Sequence, residues 1–170
     1  SGGRALALEI LKRTKADAIV GELLAFPPQE AADKLIAGQI DVAFIVSGWA
    51  SPVVRRLIEA GGITVTSVLR PDAFIALYPF LSKVVLPAGV ADLAANRPPA
   101  DVVLLATKGI LVVRNDLSSA IQYLLLNAAV EIHSGPGIFQ KAGQFPAGES
   151  VDLPLSEAAQ RFYKSGRPVL

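Results

Sequence analysis

Two short runs place glycine, serine and a cation where the backbone amides of a helix start would be left without partners. The first is Ser1-Gly2-Gly3-Arg4, which leads straight into the periodic run Ala5–Leu11. Two glycines free the backbone to curl, the first N–H groups of a helix point outward, and a hydroxyl and a guanidinium add donors. That set suits a carboxylate or a phosphate. An ordinary N-cap with a surface arginine accounts for the same residues. The run is too short for a dinucleotide fingerprint, and the Lys-Ser/Thr ending of a P-loop is missing.

The second run is Ser47-Gly48-Trp49-Ala50-Ser51, directly after the apolar stretch Val42–Val46 and before Pro52. Proline is favourable at the first helical position, so this run should offer a second helix start with two hydroxyls and an aromatic wall. The competing account is a capped turn with Trp49 covering core. Two helix starts after neighbouring parallel strands share one sheet edge, where they can converge on one small anion. Ser1, Gly2, Gly3, Arg4, Ser47, Gly48, Trp49 and Ser51 are therefore the candidate ligand-binding residues. Tyr78, near the end of a further helix, is a candidate for closing the pocket, although a tyrosine reaching from core to water fits as well.

Other chemistry finds little support. His133 is the sole histidine and the chain has no cysteine, which leaves no transition-metal cluster and no disulfide. A cation at the end of a long helix is favourable for structural reasons alone. Asp17, Glu22, Asp33, Asp41, Glu59, Asp72, Asp92 and Asp101 are scattered over helix ends and turns, with no carboxylate pair spaced for acid–base work. Neither Ser47 nor Ser51 sits in a Gly-x-Ser-x-Gly elbow. The expectation is a binder without catalysis, metal or cofactor.

The elements that must hold these residues read as follows. Periodicity and end signals predict helices at Gly3–Thr14, Pro28–Ala37, Pro52–Ala60, Asp72–Leu81, Leu117–His133 and Glu157–Lys164. Gly38 is placed for a left-handed C-cap. Strands are expected at Ile19–Leu24, Val42–Val46 and Thr64–Leu69, with a long run or pair within Val102–Arg114 broken at Gly109, and a short edge strand at Val84–Leu86. Alternation of helix and strand implies parallel strands joined by helical crossovers, an α/β fold. Residues 1–115 read as an α/β lobe, and residues 116–170 as a C-terminal helix and wrapping tail of the same domain.

Composition limits the partners. The 170 residues carry a net charge of +1 with dispersed Lys and Arg, which argues against a nucleic-acid surface. The apolar run Ile121–Val130 is interrupted by Gln122 and Asn127, and falls well short of the roughly 20 residues that span a bilayer. No signal peptide precedes the first helix, and a chain that opens on a helix start reads as a fragment lacking the strand before it.

The runs SGGRALALEILKR, AADKLIAGQIDVAFIVSGWASPVVRRLI, KGILVVRNDLSSAIQYLLLNAAVE and LPLSEAAQRFYKSG together resemble the solute-binding subunits of TRAP transporters of the TAXI type. Ser1-Gly2-Gly3-Arg4 stands where that family has Gly-Ser-Gly-Thr-Arg, with Gly3 at the usual threonine. Gly38–Phe44 matches its helix-to-strand passage. The resemblance implies a type II periplasmic-binding-protein fold, here one three-layer lobe with a mixed, mostly parallel sheet flanked by helices and the first lobe missing. It implies an extracytoplasmic or periplasmic receptor, membrane-associated in full length, that captures a small anionic solute such as a dicarboxylate or amino acid for TRAP permease subunits. Pairing of two copies through an exposed sheet edge fits the same picture. The alternative is the effector-binding domain of a LysR-like transcriptional regulator, which uses a related fold.

Overall fold

Local signals form six helices among the described residues, in a computed structural model that describes residues 2–149 and 153–166. These residues group into two compact units. One holds the residues up to Thr66 together with Pro87–Val102, and the other holds Ser67–Leu86 and the residues from Val103 onward.

In the first unit, α1 spans Gly2–Thr14 and puts Lys12 and Arg13 in its last turn, where cations complement the helix dipole. Helix α2 spans Pro28–Ile36 and buries Ala32 completely. It ends as Gly38 predicts. With φ at 69°, Gly38 donates its N–H to the Leu35 carbonyl at 3.1 Å, and Gln39 donates to Lys34 at 2.8 Å, a Schellman pair of bonds. Helix α3, Pro52–Glu59, packs on α2 with Val53 and Ile58 buried, and Arg56 pairs with Asp33 across the two. The proline-rich stretch after Leu86 is tied back to α3, because the Arg97 guanidinium donates to the carbonyl of Glu59 at that helix's end.

In the second unit, α4, Pro71–Leu77, packs on strand β1, Leu81–Leu86, and Asp72 holds Lys83 at 2.7 Å. Strand β1 pairs antiparallel with β2, Val102–Thr107. Helix α5, Ser119–His133, is capped by Ser118, whose hydroxyl accepts from the Ile121 N–H at 3.4 Å. Helix α6, Glu157–Ser165, is capped in the same way by Ser156, and packs on α5 with Ala158, Ala159 and Phe162 buried. Such caps each contribute about 1 kcal/mol.

The expectation of a mixed, mostly parallel sheet needs correction. Among the described residues the sheet consists of β1 and β2 and is antiparallel. The run Val42–Val46 makes no backbone hydrogen bond to another segment among the described residues, and Val42, Phe44 and Val46 are 69%, 50% and 55% exposed. A continuous apolar run reads as a strand covered on both faces, but a strand exists only where a neighbour accepts its backbone bonds. Ile19–Leu24 likewise forms no ladder: the N–H groups of Ile19 and Val20 both turn back to the carbonyl of Ala16. Thr64–Leu69 reaches β2 at one point, where Val68 donates to Val103 at 2.8 Å. There the Ser67 hydroxyl takes the Val103 N–H at 3.0 Å, the donor a strand ladder would need for a backbone carbonyl. The expected long strand stops at Thr107, just before Gly109, and Ile110–Val112 stay exposed without ladder bonds.

Two contacts hold the described part of the tail from Gly135 to Pro154. Lys108 holds Glu149, and this hydrogen bond and charge keep the Glu149 carboxyl below its ordinary value. Gly148 lies against the ring of Tyr163, whose phenol is pushed up by burial and which meets Phe162 edge-on at 5.5 Å. A Cβ on Gly148 would sit 2.8 Å from Cδ2 and 3.0 Å from Cγ of Tyr163, atoms near the root of that ring. Gly148→Ala is expected to cost about 1–3 kcal/mol of stability, the usual range for overpacking, as a lower midpoint in urea unfolding. An unchanged midpoint would show that the ring swings aside freely.

Candidate functional site

The first candidate cluster is the start of α1. Gly2 begins the helix and is exposed, Gly3 is half-buried, and Arg4 is exposed without an ion pair to a described residue. Ser1 lies outside the described residues. No acidic side chain occupies the first turn, so no carboxylate of the helix itself neutralises its positive end.

The second cluster is the loop that leaves Val46. Ser51 donates its N–H to the Gly48 carbonyl at 3.0 Å, closing a turn that leaves Ser47 and Gly48 exposed. Pro52 opens α3 as expected, and the Arg55 N–H finds the Ser51 carbonyl at 3.1 Å. The Ser51 hydroxyl makes no cap bond, and α3 has no acid in its first turn. Ser118 and Ser156 cap their own helices. Ser51, in the corresponding position, leaves both its hydroxyl and the first amides of α3 available.

These two clusters come together. A Cβ built on Gly3 would lie 3.4 Å from Cγ2 and 3.7 Å from Cβ of Val46, the residue immediately before Ser47. The first turn of α1 therefore rests on the end of the extended segment from which the Ser47–Ser51 loop departs. Open space surrounds Gly2 and Gly48, with no atom beyond their own neighbours within 4 Å of an added Cβ. The result is an open, donor-rich surface of small residues.

Tyr78 lies in the other unit. It caps the end of α4, its N–H bonded to Phe74 at 2.8 Å and its ring edge-on to Phe80 at 6.0 Å. Two contributors to the first unit's surface escape sequence reasoning. One is Val46, the contact that joins the clusters. The other is Arg55, whose guanidinium carbon lies 5.9 Å from the centre of the Trp49 ring, within cation–π range. Arg55 stands one turn into α3, so the helical repeat after Pro52 could have found it. The contact with Val46 depends on chain path and leaves no local signal. Among the described residues no cluster of three His, Cys, Asp or Glu side chains is placed to hold a metal.

The start of α1 and the hydroxyl-bearing Ser47–Ser51 loop thus lie side by side. The chain belongs to the NMT1-like family, a periplasmic solute-binding family, whose model matches residues 1–165. Such proteins typically work outside the cytoplasm, and among the described residues no helix is long and apolar enough to cross a membrane.

The Gly3 contact has a direct test. Gly3→Ala adds a methyl at ordinary contact distance in a helix and is expected to leave stability within about 1 kcal/mol or raise it slightly. Gly3→Val drives further methyls into Val46 and is expected to cost about 1–3 kcal/mol in urea unfolding. Equal effects of the two substitutions would mean that α1 does not rest on Val46.

Proposed function

We propose that this chain captures a small organic acid or amino acid, a dicarboxylate being the type ligand, for a TAXI-type TRAP transporter outside the cytoplasm. Its own part is binding, not catalysis. The observation that supports this reading is the packing of Gly3 on Val46, which sets the start of α1 beside the Ser47–Ser51 loop. One carboxylate would take the first amides of α1 with the Arg4 guanidinium. Amides and hydroxyls of the Ser47–Ser51 loop would serve its other end, with Trp49 as the wall.

Magnitudes favour the combined site over either cluster alone. An exposed helix start attracts an anion by about 1 kcal/mol at most, which is no usable affinity. A charge-assisted bond to Arg4 adds about 1.5–3 kcal/mol. Two helix starts and Arg4 together reach at most about 3.5–5 kcal/mol before entropic costs, so this surface by itself should bind no tighter than about the millimolar range. Lobe closure of the kind known in periplasmic receptors would supply the rest and give the permease a shape to recognise.

Trp49 is the only tryptophan, so its fluorescence reports on this site alone. Titration with glutarate, 2-oxoglutarate and glutamate is expected to give a saturable change with at least one of them. Arg4→Gln should weaken that affinity by about tenfold or more, the value of one charge-assisted bond. A response that Arg4→Gln leaves unchanged, or no response to any dicarboxylate or amino acid, would contradict the proposal.

A further inference from the structure

A groove of about 400 Å³ in the second unit has a composition unlike that of the surface just described. It runs between Lys83, Val84 and Val85 of β1 on one side and the turn after α5, from Gly137 to Gln144, on the other. Its volume lies within the range of small-molecule sites. Apolar groups come from both walls, Val84 and Val85 from the strand, Ile138 and Phe139 from the turn. Val85 and Ile138 remain 41% and 39% exposed, so the groove offers uncovered apolar surface.

The polar groups are two ammonium ions and two carboxamides, with no acid in the lining. Lys83 is already paired with Asp72 at 2.7 Å. Lys141 makes no ion pair or side-chain hydrogen bond with a described residue, so the groove carries one uncompensated positive charge. This arithmetic favours a single negative charge on the occupant, because a second would meet a lysine that Asp72 already neutralises.

The turn that carries Lys141 is held by its own hydrogen bonds. Gly137 and Gln140 exchange backbone bonds at 3.0 and 3.3 Å. The Gln140 carboxamide donates to the carbonyls of His133 at 3.0 Å and Gly135 at 2.8 Å, which also satisfies the end of α5. Gln144 accepts the Lys141 N–H at 2.9 Å through Oε1, which leaves its amide hydrogens for a ligand oxygen. A wall fixed before binding spares a ligand the cost of ordering it.

The geometry points to a second ligand site in this groove, for a small monocarboxylate carrying a branched or aromatic apolar body. The carboxylate sits between the Lys141 ammonium and the Gln144 amide, and the apolar body lies between Val84, Val85 and Ile138, Phe139. No residue of this site belongs to the proposed solute surface, so either can fail without the other.

The test titrates the full chain with phenylacetate and, separately, with the uncharged phenylacetamide, following backbone amide shifts. Saturable shifts at Lys83–Val85 and Ile138–Lys141 are expected with phenylacetate only. Lys141→Gln, an exposed change that does not threaten folding, should weaken the binding by about fivefold, the upper end for an exposed ion pair. Three results overturn the assignment: no saturable shift in the groove, an equal response to phenylacetamide, or an affinity unchanged in Lys141→Gln.

Discussion

A small residue at position 3 lets a helix start lie on the end of the Val42–Val46 segment, and the candidate site depends on that contact. Gly3 meets Val46 at 3.4 Å from its would-be Cβ. Because Ser47 follows Val46 directly, the chain path delivers the serine-and-glycine loop to the same place as the unpaired amides of α1. A bulkier residue at position 3 would hold the helix away and leave two isolated features, each too weak to retain an anion in water. Acid-free first turns in α1 and α3 act in the same direction, since no internal carboxylate competes for the amides.

The helices were legible because their signals are local. Pro28, Pro52 and the glycine at position 38 fix where chains enter and leave helices through φ preferences and missing donors, and all six expected helices form. Of the strands, Val84–Leu86 forms as the end of β1 and the run from Val102 forms as β2 as far as Thr107, but the others do not, because pairing is a property of two segments. Val42–Val46 has the composition of a doubly covered strand, and yet among the described residues it finds no ladder partner, with Val42, Phe44 and Val46 exposed. At Ser67 a side-chain hydroxyl, not a backbone carbonyl, takes the N–H of Val103. The antiparallel β1–β2 pair forms where α4 covers Leu81–Leu86 from one side, a tertiary fact absent from either strand's own sequence.

The site divides in the same way. Gly2, Gly3, Ser47, Gly48 and Ser51 were expected from residue type and from position at helix starts, and the first unit holds them all. Tyr78 was chosen by type alone and falls in the second unit, engaged with Phe80. Arg55 and Val46 were missed, one for want of following the helix a single turn further, the other because a packing contact between distant segments has no sequence signature. Membership of the NMT1-like family supplies the class of activity, solute binding, and the Gly3–Val46 contact is the observation on which the proposed site rests.

The proposed site requires the start of α1 and the Ser47–Ser51 loop to act together. Amide chemical shifts followed during titration with glutarate test it most directly, because each cluster carries its own reporters. Gly2, Gly3, Gly48 and Trp49 are expected to shift together along one saturation curve. Shifts confined to other residues would contradict it, as would Gly3 and Gly48 saturating at different concentrations.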